Sequence, residues 1–247
     1  MTPKTFILGT RGSQLALRQS EMVRDALLRH FPTLQIELKI IKTKGDKLQH
    51  LSLDASGDKG LFTGALEEAL RAGEIDFAVH SLKDLPVDPA PGTRIAAYLP
   101  RAVTHDTLIG PMPLEALPEG ALIGTSSRRR AYQIAIHYPH LRTEPIRGNV
   151  ETRMGKVDAG LFDATLLAEA GLARLDMKDV TRYPISEEII VPAPGQAAIA
   201  VQTRDEDGEL QTLLQQIHDA KTEREVTIER SLLKRLGGGC ALPLGCV

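Results

Sequence analysis

Residues 120–139 read GALIGTSSRRRAYQIAIHYP, and the order of residue types along them sets the fold class. GALIGTS is a short apolar run ending in small hydroxyl residues, the profile of a buried strand that breaks into a turn. SSRRRAYQIAIHYP then takes up helical spacing. A strand passing directly into a helix is the repeating step of α/β proteins, and the step recurs along the chain. KTFILGT (4–10) leads into SQLALRQSEMVRDALLRH (13–30), where Ala16, Val23, Ala26 and Leu27 fall at helical spacing. LQIELKII (34–41) alternates with the two-residue period of a half-buried strand. GLFTGALEEALRAGE (60–74) is an amphipathic helix on Leu61, Phe62, Ala65, Leu66, Ala69 and Leu70, with Gly73 placed to end it. IDFAVHS (75–81) is the next strand.

Between Thr43 and Gly60 the sequence is polar and aperiodic, a loop long enough to suggest a working part. DPAPGTRIAAYLPRAVTHD (88–106) opens on Pro and Gly and reads as a crossing into a second unit. There, LRTEPIRG (141–148) is strand-like, NVETRMGKVDAG (149–160) helical, and FDATLLAEAG (162–171) a strand leading into a helix. IIVPAPGQAAIAVQTR (189–204) is again extended. TEREVTIERSLLKRLGGG (222–239) is a helix for which Thr222 and Glu225 suggest a capping box, with Lys234 and Arg235 in the last turn and Gly237 past the end. Its apolar side carries Val226, Leu233 and Leu236 and needs a surface to pack on.

The chain has 247 residues, 42% hydrophobic and 25% charged, which suits one large soluble domain or two ordinary ones. Aromatics are 4% and Trp is absent, so aliphatic residues must build the core, and a base-stacking nucleic-acid binder is disfavoured. Thirty Lys and Arg against 32 Asp and Glu leave a formal charge of −2, without the basic excess of a nucleic-acid or acidic-membrane binder. No run approaches membrane-spanning length, and the N-terminus lacks an apolar signal segment. A cytosolic monomer is expected. Both cysteines, Cys240 and Cys246, lie in the last eight residues, behind three glycines. They do not form a disulfide scaffold.

Four places carry chemistry, each just after an expected strand, where open α/β sheets bind ligands. GTRGS (9–13) opens a helix whose amides attract anions, with Arg11 and Ser13 as further donors; taken alone it is a turn capped by Ser13. HSLKDLP (80–86) sets Lys83 beside Asp84, either a general acid or counter-ion on a cleft rim or an ordinary turn. GTSSRRR (124–130) offers Thr125, Ser126 and Ser127, then three arginines in a first helical turn. Cations there oppose the helix dipole, at roughly 0.3–1 kcal/mol each when exposed, so a bound anion is expected to hold the forks. IRGNVETR (146–153) flanks a Gly148-Asn149 helix start with Arg147 and Arg153, and alone reads as a capped helix with two surface arginines. Basic residues thus gather at strand ends in both halves of a slightly acidic chain, which suits a two-lobed cleft for a small polyanion. There is no P-loop, dinucleotide fingerprint, nucleophile elbow or convincing metal spacing.

As a set, GTRGSQLAL, KTKGD, GDKGLFTGALEEAL, DFAVHSLKDLP, IGTSSRRR, IRGNVETR, LAEAGLARL, PAPGQAAIAV and GGGCALPLG closely resemble the porphobilinogen deaminases, or hydroxymethylbilane synthases, in family order over nearly the whole chain. The resemblance implies condensation of four porphobilinogen molecules, with loss of ammonia, into hydroxymethylbilane, a step of haem and tetrapyrrole biosynthesis. It implies a dipyrromethane cofactor in thioether linkage to Cys240, with Asp84 stabilising positive charge on pyrrole nitrogen and assisting proton transfer. Arg11, Ser13, Lys83, Ser127, Arg129, Arg130, Arg147, Arg153 and Arg174 match the family's carboxylate-binding residues, and Thr125, Ser126, Asn149 and Gln196 fall in the same motifs. The implied fold is two lobes with mixed sheets, like type II periplasmic binding proteins: residues 1–98 with 195–217, and residues 99–194. Residues 218–247 would be a shortened third domain, one helix and the cysteine loop. Ala197 stands where a glycine is common. A two-lobed small-anion binding protein and an inactive relative are the alternatives.

Overall fold

The computed structural model describes residues 5–43, 63–237 and 242–246. Two five-stranded sheets form the frame. The first has the order β2-β1-β3-β10-β4, from β1 (Thr5–Thr10), β2 (Gln35–Ile40), β3 (Phe77–Ser81), β4 (Thr93–Tyr98) and β10 (Ile199–Arg204). The second has the order β7-β6-β8-β5-β9, from β5 (Asp106–Ile109), β6 (Leu122–Gly124), β7 (Arg142–Glu144), β8 (Ala164–Ala168) and β9 (Arg182–Pro184). β1 runs parallel to β2 and β3, and β10 lies antiparallel between β3 and β4. The second sheet repeats this plan: β6 is parallel to β7 and β8, while β5 lies antiparallel between β8 and β9. This is the two-lobed, mixed-sheet α/β fold expected.

The helices follow the strands they were read from: α1 (Gln14–His30), α2 (Gly64–Arg71), α3 (Arg128–His137), α4 (Val150–Asp158) and α5 (Glu169–Arg174). Behind β10 come α6 (Gly208–Leu214) and α7 (Ala220–Arg235). Each lobe has an aliphatic core. Phe6, Leu8, Val23, Leu27, Phe77, Val201 and Leu210 fill the first; Leu108, Ile123, Ile134, Leu166 and Ile190 fill the second. Val23, Ala26 and Leu27 are buried as α1's spacing predicts, whereas Ala16 is half-exposed.

Several elements differ from the sequence reading. The stretch 88–106 does not merely cross between units: it first contributes β4 to the first sheet, crosses over 99–105, and starts β5 at Asp106. β5 and β9 are too short to show a period, and α6 was also missed. α7 begins at Ala220, two residues before Thr222. Asp219 caps it, accepting from the Thr222 amide at 2.6 Å. Thr222 lies inside the helix, buried, with its Oγ1 accepting from the Arg101 amide at 2.9 Å. A carboxylate upstream outcompeted the hydroxyl as cap. At the other end Gly237 takes the left-handed conformation (φ 68°), as expected. Of the apolar side of α7, Val226 is fully buried, Leu233 half-buried and Leu236 exposed. The polar loop expected over 43–60 lies, beyond Thr43, outside the described residues, as do Leu61 and Phe62.

Because β10 returns to the first sheet after the second is complete, the backbone crosses twice, outward before β5 and back before β10. A buried clasp joins these crossings to α7. Arg101 donates to both oxygens of Glu229, at 2.5 and 3.0 Å, and through Nε to the Gln196 carbonyl at 3.0 Å. The Gly195 amide donates to the same Glu229 carboxylate at 2.7 Å. The return crossing is also bent at Ala197, which holds φ at +69°. That region costs an L residue about 1–2 kcal/mol. A glycine there avoids the clash but gives back about 0.5–1 kcal/mol through the freer unfolded chain. Ala197→Gly is therefore expected to raise unfolding stability by about 0.5–1 kcal/mol, read as a higher urea midpoint at unchanged slope. A lower midpoint would remove the strain argument.

Candidate active site between the lobes

β3 ends at Ser81, and the three-residue turn Leu82–Asp84 that follows presents Lys83 and Asp84. Leu82 is fully buried under this turn, Lys83 is half-buried and Asp84 exposed. Arg11, Ser13, Gln19, His80, Ser81 and Asp84 line one cavity, so the ends of β1 and β3 and the start of α1 share a wall. Ser13 caps α1, accepting from the Ala16 amide at 3.3 Å. Its hydroxyl proton remains available to a ligand, as does that of Ser127, which caps α3 through the Arg130 amide. Asn149 caps α4 through the Thr152 amide at 2.9 Å and leaves its NH2 group outward.

The arginines after GTSS are not equivalent. Arg128 is exposed and lies over the Tyr132 ring, 5.9 Å from its centroid. Arg129 and Arg130 are 5% and 6% exposed and turn inward onto Asp106, which is fully buried. Arg129 donates to Asp106 Oδ2 at 2.7 Å and to the Val191 carbonyl at 2.5 Å. Arg130 grips both oxygens, at 2.7 and 3.1 Å, and reaches the Leu166 carbonyl at 2.8 Å. The sequence reading gave these two forks to a bound ligand's carboxylate. The structure supplies one anion from within, Asp106, which both forks hold. Burial alone would raise the Asp106 pKa, but the charge and hydrogen bonds of Arg130, with Arg129, hold it well below the carboxylate range. Thr125 Oγ1 accepts from the Ser127 amide at 3.2 Å, and Ser126 donates to the Ile146 carbonyl at 2.7 Å. Gln196 is fully buried, donating to Asp106 at 2.8 Å and accepting from Lys83 at 3.2 Å.

Arg11, Lys83, Arg147, Arg153 and Arg174 are half-exposed. Burial and the Arg130 charge lower the Lys83 pKa to about 8, against the opposing pull of Asp84 and Asp106. Arg153 is lowered to about 10 by burial and Arg130, with Asp84 acting in the opposite sense. The charges of Lys83, Asp84, Arg130 and Arg153 are thus all felt together, which brings the two lobes' site residues to one place. Arg153 donates to the Gly148 carbonyl at 2.8 Å and lies near Arg147. Arg174, on α5, donates to the Ala197 carbonyl of the return crossing, and its buried Nε has no hydrogen-bond partner. Cys240 lies outside the described residues, but its flanks are placed. Gly237 closes α7, and the 242–246 segment docks on the return crossing, with the Cys246 amide donating to the Pro192 carbonyl at 2.8 Å. Gly245 sits so close there that a Cβ would stand 2.6 Å from the Val191 side chain. The Cys246 thiol is half-buried, which raises its pKa.

The family model described as porphobilinogen deaminase, dipyromethane cofactor binding domain, matches residues 6–212. The chain belongs to the porphobilinogen deaminase family. Porphobilinogen deaminase of Roseiflexus sp. (strain RS-1) is 45% identical over 99% of this chain and 81% of its own length. That of Nostoc sp. is 43% identical over 98% of this chain and 76% of its own. Among solved structures, the periplasmic VFT2 domain of Bordetella pertussis BvgS covers 92% of each chain at 14% identity with a TM-score of 0.51, a likeness of fold alone.

Membership in the porphobilinogen deaminase family implies dipyrromethane, and the donor set suits it. Its two pyrroles carry four carboxylates between them, and the half-exposed cations Arg11, Lys83, Arg147, Arg153 and Arg174 match that demand. The unpartnered Arg174 Nε is a buried donor awaiting an acceptor. Asp84 gives the cavity an exposed carboxylate. Among the described residues no cluster of His, Cys, Asp or Glu could hold a metal, and no helix is long and apolar enough to cross a membrane.

Sequence reasoning missed Asp106 and His80. His80 is 5% exposed, lines the cavity with Arg11, and has no hydrogen-bond partner at Nε2. Burial, reinforced by the Arg11 charge, lowers its pKa from 6.5 to about 4, against a smaller opposing effect of Gln202. The native state therefore binds fewer protons than the unfolded chain between these values, so stability is full above pH 6.5 and falls toward pH 4. The loss is on the order of 3 kcal/mol. Urea unfolding of a His80→Gln variant should show a flatter stability profile from pH 6.5 to 4 than the parent; equal slopes would show that His80 does not titrate as argued.

Proposed function

We propose that the chain condenses four porphobilinogen molecules head to tail, releasing ammonia, to give hydroxymethylbilane, on a dipyrromethane primer held by a thioether at Cys240. The observation that carries the reading is the set of half-exposed cations from both lobes near the exposed carboxylate of Asp84, in a chain that matches the cofactor-binding family over 6–212. Bound dipyrromethane would supply the nucleophilic pyrrole end from which the chain grows. The protein's own task is then electrostatic and positional.

Each porphobilinogen carries an acetate and a propionate. Arg11, Lys83, Arg147, Arg153 and Arg174 meet these as charge-assisted donors, strengthened because they are partly desolvated. Ser13, Ser127 and Asn149 add hydroxyl and amide donors at three helix starts, whose dipoles also favour anions. Asp84 accepts from pyrrole N–H groups, stabilises positive charge there and takes part in proton transfer. Arg129, Arg130, Thr125, Ser126 and Gln196 fix the wall behind them. Lys83 carries one of these charges only while protonated, so apparent affinity for porphobilinogen is expected to decline above about pH 8.

Intact-mass measurement after expression with porphobilinogen available tests the primer: a dipyrrole adduct should be present and be lost in Cys240→Ser. An unmodified parent chain would sink the assignment. Asp84→Ala should leave the circular-dichroism spectrum and urea midpoint unchanged while lowering kcat by roughly 10²–10⁴-fold. Unchanged turnover would remove Asp84 from its role.

A further inference from the structure

Gln196 lies between the two lobes, and its amide has two unlike ends. The NH2 end faces two acceptors, the Thr104 carbonyl at 2.6 Å and Asp106 Oδ1 at 2.8 Å. The oxygen end accepts from the Lys83 ammonium at 3.2 Å. A side-chain amide can be turned by half a rotation with little change of shape, so its neighbours decide which end points where. Asp106 is ionised and held by Arg129 and Arg130, so it can only accept. It therefore demands the NH2 end of Gln196 and leaves the oxygen to Lys83. The order Arg130–Asp106–Gln196–Lys83 thus runs from α3 through the start of β5 and the return crossing to the turn that bears Asp84.

We propose that Asp106 is a positioning residue for the condensation: through Gln196 it aims an acceptor at Lys83 and keeps that ammonium charged and placed beside Asp84. The inference rests on the function proposed above. Among the described residues, the charged groups that face Lys83 include Asp84 on its own turn, Asp106 from β5, and Arg129 and Arg130 from α3. With Asp106 neutral, the cations stand against each other in a desolvated site. Lys83 is the one that can shed its proton most easily, because Arg holds its own far more tightly.

The test reads Lys83 itself, without turnover. Competitive acylation with acetic anhydride across pH 6–11, followed by peptide mass spectrometry, measures how readily the amine is deprotonated. Asp106→Asn leaves two buried arginines without their counter-ion and is expected to be less stable. Gln196→Met keeps both ion pairs and removes only the link, so it carries the test if the first variant fails to fold. In both, Lys83 should label several-fold faster at pH 7 than in the parent. In steady-state assays of Gln196→Met, KM for porphobilinogen should rise more than kcat falls, and the loss should shrink at lower pH. Leu108→Ala, in the core of the same strand β5, lowers stability without touching the link and should leave Lys83 labelling unchanged. Parent-like labelling in folded Gln196→Met would overturn the proposal, whatever the outcome for deaminase activity. A labelling change without any porphobilinogen turnover in the parent would instead sustain the link and refute the function.

Discussion

One buried carboxylate organises the second lobe and its junction with the first. Asp106 starts β5, receives Arg129 and Arg130 from α3, and receives Gln196 from the segment returning to the first sheet. An isolated charge with no exposure would be untenable, and two guanidiniums with nearly none would be equally so. Together they satisfy one another, with the Val191 and Leu166 carbonyls taking further donors. The consequence is directional: the chain cannot bury Asp106 without closing α3 onto the return crossing. Fold and site are therefore assembled by the same contact.

Charge is sorted by depth. The deepest layer sets one carboxylate, Asp106, against the two arginines that hold it, leaving a single net positive charge. The layer above, facing the cleft, is cationic, and Lys83 and Arg153 there are partly stripped of water and so less content as cations than their types suggest. Such groups gain most from an incoming carboxylate, which restores the interaction that burial removed. Asp84, exposed on its turn, is the only carboxylate among the cavity's described lining residues.

Much of this was legible in the sequence because strand-to-helix steps announce themselves in a few residues. KTFILGT, IDFAVHS and FDATLLAEAG gave their strands, and Ser13 its cap, from local chemistry alone. Asp106 could not be read that way. It sits at the start of a four-residue strand inside a stretch that looks like a crossing, and its partners lie 23 and 24 residues away in sequence. The one available signal was the oddity of several arginines at a helix start, which correctly called for an anion but not for an internal one. Thr222 failed as a cap for a similar reason, because the clasp with Arg101 had already claimed its hydroxyl. His80 has the sequence look of any core residue on a strand; that its Nε2 is buried without a hydrogen-bond partner shows only in three dimensions.

The Arg101–Glu229 clasp has a mechanical meaning. Any rotation of one lobe against the other must pass through the two crossings, and α7 is fastened to both of them by a single carboxylate. The 242–246 segment is fastened to the return crossing as well, at Pro192. The end of α7 and the 242–246 segment are therefore both rooted at the crossings between the lobes. Opening or closing the arms would reshape the cleft walls while these two anchorages stay put, much as a door swings past its hinge pin.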